Sequence, residues 1–163
     1  MNEDKIRQNK VLERGNVPVQ GLSPLSQDGK ELRSAASPAY QGTETLLIAE
    51  DEELARMFMK RILENAGYKV IEAADGEEAL EKFREKREDI SLVLSDVIMP
   101  KKNGMQILEE VTRLKPGVKM MFSSGYAADL LNERGIFKEG IDLITKPFMK
   151  EDLLRKVREA LDR

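Results

Sequence analysis

Residues 90–100 read ISLVLSDVIMP, a mostly apolar run that ends in one carboxylate, Asp96. The loop that follows carries Pro100 and Gly104. Aliphatic side chains on successive positions indicate a strand that is buried on both faces, as in a parallel sheet. A carboxylate at the end of such a strand lies at the edge where α/β sheets bind ligands. Asp96 is therefore the first candidate functional residue.

Similar segments recur along the chain from Thr45 onward. Strand-like runs occur at 45–49, 69–73, 91–95, 118–123 and 141–145, and a helical pattern follows each of them. The short fourth helical pattern lies around 127–133. Five strands that alternate with five helices predict an α/β fold with one parallel sheet covered on both faces.

The helices have recognisable faces and ends. The first carries Leu54, Phe58 and Ile62 at a spacing of four, with Ala55, Leu63 and Ala66 beside them. Gly67 is a suitable residue to end that helix, and Asp75 is placed to cap the second. The side chains expected to be buried in the later helices are Ala79, Leu80, Phe83, Met105, Ile107, Leu108, Val111, Leu153, Leu154, Val157 and Leu161. Core positions are also expected for Met57, Met59, Met99, Met120 and Met121.

The first 43 residues differ from the rest of the chain. They hold three of the six prolines, two of them in Ser-Pro pairs, and their apolar residues show no sustained period. This composition is typical of a flexible linker or tail. The predicted domains are thus a linker over 1–43 and a folded domain over 44–163.

Composition excludes several classes of function. The chain has no Cys and no His, which excludes disulfides, thiolate chemistry, a Ser-His pair and a histidine-ligated zinc. The net charge of −3 gives no basic field for nucleic acid. No apolar run reaches the ~18 residues of a membrane span. We expect a soluble cytoplasmic protein that makes no contact with nucleic acid or membrane through this segment.

Polar residues follow four of the five strands. Glu50 and Asp51 end the first, Asp96 the third, Ser124 the fourth and Lys146 the fifth. Clustered carboxylates repel one another unless a cation compensates, and hard oxygen ligands suit Mg²⁺. Asp96 can then act as a nucleophile toward phosphorus, with the metal and Lys146 offsetting charge on the transferring oxygens. The pattern predicts a site for a divalent cation and a phosphoryl group.

Each feature alone has a simpler explanation. Glu50, Asp51 and Glu52 could be no more than acids at a helix N-terminus, and Asp96 could only start a turn. The Ser-Gly and Lys-Pro pairs are common in loops. The joint order of the four strand ends is what favours a functional site.

The combined motifs resemble the receiver domain of two-component response regulators. They are 46–52 (LLIAEDE), 96–100 (DVIMP) with Gly104, 123–126 (SSGY) and 146–148 (KPF). The resemblance covers about Thr43 to Arg163. It implies a three-layer flavodoxin-like sandwich with a five-stranded parallel sheet in the order 2-1-3-4-5.

The resemblance also implies a role for each site residue. Asp96 accepts a phosphoryl group from a phosphohistidine on a histidine kinase or other donor, and Ser124 and Lys146 contact that group. Mg²⁺ is held directly by Asp51, Asp96 and the backbone carbonyl of Ile98, with Glu50 acting through water. Such a domain switches a protein-interaction face and is a phosphoacceptor rather than an enzyme.

The segments around 42–45, 124–126 and 157–161 are most similar to C-terminal receivers of hybrid histidine kinases, although a stand-alone receiver is also compatible. Homodimerisation would use the face of the fourth and fifth predicted helices. Leu143 departs from the aromatic residue usual three positions before the lysine, so the signalling face on the fourth and fifth strands is expected to couple differently to phosphorylation.

Two other functions remain open from the sequence. A pseudo-receiver would use the same fold only for docking or dimerisation. An aspartyl-phosphate hydrolase would need a general acid two residues after Asp96, where Ile98 cannot transfer a proton.

Overall fold

The structure, a computed structural model, describes residues 38–126 and 142–163. These residues belong to one compact unit. Most of the predicted linker, residues 1–37, and the predicted helix around 127–133 lie outside the described residues. Within the described ranges, no helix is both long enough and apolar enough to cross a membrane.

The five predicted strands form one parallel sheet. The strands are β1 (Thr45–Ala49), β2 (Lys69–Ala73), β3 (Ile90–Asp96), β4 (Lys119–Ser124) and β5 (Asp142–Thr145). Their order in the sheet is β2-β1-β3-β4-β5, which confirms the flavodoxin-like prediction. Strand β2 is added on one side of β1, and the later strands are added on the other side. This change in the direction of strand addition opens a crevice at the carboxyl ends of β1 and β3.

Four described helices cover the two faces of the sheet. They are α1 (Glu53–Asn65), α2 (Gly76–Lys86), α3 (Gly104–Leu114) and α4 (Lys150–Asp162). Helices α1 and α4 pack on one face, around Leu46, Ile48, Leu92, Leu94 and Met121. Helices α2 and α3 pack on the other, around Leu47, Ala49, Val93 and Phe122. The alternating direction of strand side chains divides the core into these two layers.

The predicted helix boundaries are largely confirmed. The Asp75 carboxylate accepts hydrogen bonds from the amides of Glu77 and Glu78, so it caps α2. Helix α1 ends at Asn65, and Gly67 follows with a φ of +99°, a conformation that favours glycine. Of the residues expected to be buried in the later helices, Met105, Leu108 and Leu161 are only partly covered.

The buried face of α1 differs from the predicted one. Leu54, Met57 and Phe58 are 74%, 55% and 51% exposed, so Met57 is not a core residue. Met59 and Leu63 face the sheet instead. Both pairs, Leu54 with Phe58 and Met59 with Leu63, have the spacing of one helix face, and the sequence alone does not say which face meets the sheet.

The chain just before β1 also contacts the domain. Pro38–Tyr40 forms a 3₁₀ turn, and the Tyr68 hydroxyl donates to the Tyr40 carbonyl at 3.2 Å. The Gly42 amide donates to the Ala66 carbonyl at 3.1 Å. Packing against the end of α1 therefore begins a few residues before the predicted boundary at residue 44.

Candidate functional site

Three carboxylates meet at the carboxyl ends of β1 and β3. One oxygen from each of Glu50, Asp51 and Asp96 lies within 4.8 Å of the others. The two strands are parallel neighbours in which Ala49 pairs with Ser95, so the residues that follow lie side by side. Glu50 is buried, Asp96 is partly buried and Asp51 is exposed. The three carboxylates thus form one cluster that is open to solvent at Asp51.

Lys146 links two of these carboxylates. Its Nζ lies 2.7 Å from Glu50 Oε2 and 2.7 Å from Asp96 Oδ2. Lys146 follows β5, and β4 separates β5 from β3, so the lysine side chain spans the end of β4 to reach Asp96. This contact brings together residues that are 50 and 96 positions apart in the sequence.

Burial and charge act in opposite directions at this ion pair. Burial raises the pKa of the Glu50 carboxyl above its ordinary value, and the hydrogen bond from Lys146 only partly offsets that effect. Burial also disfavours the charged form of Lys146, but its hydrogen bonds to Asp96 and Glu50 together raise its pKa. The ammonium is therefore strongly retained, whereas the buried Glu50 carboxylate is costly to keep ionised.

The loop after β3 fixes the Asp96 side chain. The Ile98 amide donates to Asp96 Oδ1 at 3.0 Å, so both carboxylate oxygens have donors. The Gly104 amide closes the loop by donating to the Val97 carbonyl at 3.0 Å. A Cβ at Gly104 would lie 2.6 Å from the Asp96 carbonyl oxygen, so only glycine fits this approach.

The same loop is tied to the start of α2. Lys101 adopts a φ of +64°, which is uncommon for a residue with a side chain. Its Nζ lies 2.7 Å from Asp75 Oδ2, and Asp75 also caps α2. The carboxylate that begins α2 thus also anchors the loop that carries Ile98.

Ser124 lies at the end of β4, one position beyond the residue that pairs with Asp96. Its buried Oγ accepts a hydrogen bond from the Tyr126 amide at 3.0 Å, and its carbonyl accepts one from the Lys146 amide at 2.7 Å. In this structure its hydroxyl is therefore engaged in the turn after β4. Leu143, the departure noted in the sequence, is partly buried and packs against the α2–α3 side of the core.

The acids after β1 do not serve as a helix cap. Glu52 occupies the N-cap position of α1 and makes no side-chain capping hydrogen bond. Arg56, one turn into the helix, donates from Nη1 to the Glu50 carbonyl at 2.7 Å. Arg56 is not predicted from the sequence, because an arginine on a helix carries no motif that marks a contact to the preceding loop.

The arrangement combines hard oxygen ligands, the partly buried Asp96 carboxylate and the Lys146 ammonium at the carboxyl edge of a parallel sheet. Oxygen ligands of this kind suit Mg²⁺, which keeps several waters and needs few protein carboxylates. The fold and the site together define an α/β domain with a carboxylate cluster that could hold a divalent cation beside Asp96.

Residues 46–158 match the response regulator receiver domain family, and the chain belongs to that family. Receiver domains are signalling domains that bind Mg²⁺ at an acidic cluster.

Known proteins agree with this assignment. The chain is 35% identical to the sensor kinase CckA of Brucella abortus over 86% of its own length, but it spans only 15% of that relative. It is 35% identical to the solved receiver domain of the hybrid histidine kinase CckA, with a TM-score of 0.62, covering 72% of this chain and 98% of that one. A solved CheX-CheY-BeF3-Mg²⁺ complex from Borrelia burgdorferi has 25% identity and a TM-score of 0.65, covering 75% and 96%.

Proposed function

We propose that Asp96 accepts a phosphoryl group from a phosphohistidine on a partner protein, and that this modification switches a protein-interaction face of the domain. The observation that carries the proposal is the position of the Asp96 carboxylate. It ends the central strand, is held 2.7 Å from Lys146, and shares a cluster with two further carboxylates. The two-component phosphorelay is the setting that such chemistry serves.

The transfer is a nucleophilic displacement at phosphorus. A carboxylate oxygen of Asp96 forms the new O–P bond while the P–N bond of the phosphohistidine breaks, and the electron pair returns to the imidazole nitrogen. The Ile98 amide keeps Asp96 oriented, and Lys146 offsets negative charge on the transferring oxygens. Water later attacks the same phosphorus, which restores the carboxylate and releases phosphate. The domain thus assists both its own phosphorylation and its own dephosphorylation.

The donor set fits Mg²⁺. Asp51, Asp96 and the Ile98 carbonyl would hold the ion directly, and the buried Glu50 would act through water. The bound ion supplies charge neutralisation on the phosphoryl oxygens. Among the three carboxylates only Asp51 is exposed, and its neighbour Glu52 is exposed as well.

An apolar surface borders the site and suits the donor protein. Leu54, Phe58, Ile98 and Met149 are all more than half exposed. Phe58 also lines a depression of about 190 Å³ that reaches Lys146. Exposed apolar side chains that are grouped next to a reactive centre mark an interaction surface. We assign this surface to the partner that presents the phosphohistidine, since that partner must bring phosphorus to Asp96.

The switch itself uses Ser124 and Lys146. Phosphorylation adds close to two negative charges and strong acceptor oxygens at the end of β3. The Ser124 hydroxyl would leave the Tyr126 amide for a phosphoryl oxygen. A shift from 1:99 to 99:1 needs about 5.5 kcal/mol, and one charge-assisted hydrogen bond supplies about 1.5–3 kcal/mol, so both contacts are required.

The setting of the domain is part of the same proposal. Its similarity to CckA favours a receiver attached to a histidine kinase that works in the cytoplasm. The proposed homodimer face includes the predicted helix around 127–133, which lies outside the described residues.

Labelling by acetyl phosphate tests the chemistry without any partner. We expect Mg²⁺-dependent labelling of the wild-type protein, and a loss of roughly tenfold or more in apparent Mg²⁺ affinity for Asp51→Asn. The matched variant Glu52→Gln removes an adjacent exposed acid and should behave as wild type. Equal effects in the two variants would mean that bulk charge, not ligation, governs labelling.

Transfer from a phosphorylated histidine phosphotransfer domain tests the docking surface. Phe58→Ser should slow that transfer but leave labelling by acetyl phosphate unchanged, because it removes apolar contact area for the partner and adds no charge beside Lys146. Phe58→Leu keeps the surface apolar and should retain most of the transfer rate. If Phe58→Ser slowed both reactions alike, the surface would have no special link to the donor.

A further inference from the structure

Ser123 is a buried hydroxyl next to the phosphoacceptor. The residue is fully buried, and its Oγ has no hydrogen-bond partner among the described residues. Buried hydroxyls in folded proteins are almost always hydrogen-bonded, so an unpaired one calls for a physical explanation.

The sheet places Ser123 level with Asp96. The two residues pair across β3 and β4, and Ser123 pairs with Ile144 on its other side. Residues paired in a parallel sheet point to the same face and lie about 4.8 Å apart. Two positions earlier on the same face, Leu94 and Met121 are both in the α1–α4 core. The Ser123 hydroxyl is therefore one strand away from the Asp96 carboxylate, on the same side of the sheet.

Lys146 makes the contact to Asp96 that Ser123 does not. Its side chain extends from the end of β5 across β4 to Asp96 Oδ2, while Asp96 Oδ1 is held by the Ile98 amide. A carboxylate oxygen can accept more than one hydrogen bond, so the position of Lys146 matters more than the occupancy of Asp96. Lys146 reaches Asp96 Oδ2 from the β4 side, where Ser123 lies, and its ammonium takes the approach that Ser123 would use.

We propose that Ser123 is a positioning residue that donates a hydrogen bond to the Asp96 side chain once Lys146 turns to the phosphoryl group. This inference rests on the proposed function. A change of the Ser123 rotamer about the Cα–Cβ bond would move Oγ toward Asp96 with no movement of the strand. The role differs from that of Ser124, whose Oγ already has a partner in the Tyr126 amide.

The test compares the free protein with the protein bound to Mg²⁺ and beryllofluoride, which stands in for the phosphoryl group. Ser123→Ala removes the unpaired hydroxyl, so the denaturation midpoint of the free protein should stay the same or rise. The affinity for beryllofluoride should fall roughly fivefold, the equivalent of one net hydrogen bond. Ser123→Thr keeps the hydroxyl and should bind within about twofold of wild type.

Ser95→Ala is the matched control. Ser95 is equally buried and adjacent to Asp96 in sequence, but its Oγ donates to the Asp96 carbonyl at 2.9 Å. Its loss should lower the midpoint of the free protein and leave beryllofluoride affinity within about twofold.

Two results would overturn the inference. One is a midpoint for free Ser123→Ala that falls as far as that of Ser95→Ala, because the hydroxyl would then have a partner before activation. The other is beryllofluoride affinity for Ser123→Ala within twofold of wild type. Failure of the wild-type protein to bind beryllofluoride would instead overturn the proposed function, and this inference with it.

Discussion

Replacement of Lys146 by methionine should destabilise the unmodified domain at neutral pH. The substitution keeps a long apolar stem but removes the ammonium that lies 2.7 Å from both Glu50 and Asp96. The Glu50 carboxylate is only 1% exposed, so water cannot replace the lost donor. A buried charge left without its partner is among the more costly changes that a single mutation can make.

The structure sets the size of the effect. Each charge-assisted hydrogen bond contributes about 1.5–3 kcal/mol, and Lys146 makes two of them. The lysine side chain is 23% exposed and Asp96 is partly solvated, which reduces the sum. We therefore expect a loss of about 2–3 kcal/mol in the free energy of unfolding, or roughly 10 °C in Tm for a domain of this size.

A double-mutant cycle with Glu50→Gln separates the pair from other effects. The amide of glutamine is neutral, so the loss caused by Lys146→Met should shrink by about 1–2 kcal/mol when Glu50 is already replaced. Urea denaturation at pH 7 in the absence of divalent cations measures all four proteins. A Lys146→Met protein as stable as wild type, or a cycle with no coupling, would refute the assignment of Lys146 as the counter-charge of Glu50.

The difference in unfolding free energy between wild type and Lys146→Met should also depend on pH. Glu50 has a pKa raised above its unfolded value, so its protonated form favours folding, and that contribution is lost as pH rises through the folded pKa. Removal of Lys146 raises the pKa of Glu50 further, so Glu50 stays protonated in the folded protein up to a higher pH. The gap between Lys146→Met and wild type should therefore narrow as pH falls from 7 toward 5, and denaturation midpoints at several pH values measure it.

Three further substitutions test the loop that holds Asp96. Gly104→Ala should cost about 1–3 kcal/mol in unfolding free energy, because the new Cβ would meet the Asp96 carbonyl and the Phe122 ring at 2.6 Å. Urea denaturation measures this cost, and a value below about 0.5 kcal/mol would show that the loop adjusts freely. Asp75→Ala should cost about 1 kcal/mol through loss of the α2 cap. Lys101→Ala leaves the cap intact and should cost less. Equal losses by the same measurement would assign the effect to the ion pair between Lys101 and Asp75.

Much of the fold could be predicted from the sequence because its signals are local. Apolar runs of four to seven residues, separated by helical periods, determine strands and helices almost residue by residue. Parallel strands connected by right-handed crossovers leave few arrangements. The same logic predicts that Glu50, Asp96 and Lys146 lie at one edge of the sheet.

The features that the sequence did not reveal depend on geometry between elements. The rotation of α1 exposes Phe58 and buries Met59, and both satisfy the same period. The contact of Arg56 with the Glu50 carbonyl and the unpaired hydroxyl of Ser123 leave no trace in composition or spacing. These details require the packed side chains.

Intact mass after incubation with Mg²⁺ and acetyl phosphate is the most direct test of the phosphoacceptor role. The wild-type protein should gain one adduct of about 80 Da, the mass of an added HPO₃. Asp96→Asn should gain none, because the amide cannot form the acyl phosphate. An adduct of equal yield on Asp96→Asn, or no adduct on wild type, would contradict Asp96 as the phosphoacceptor.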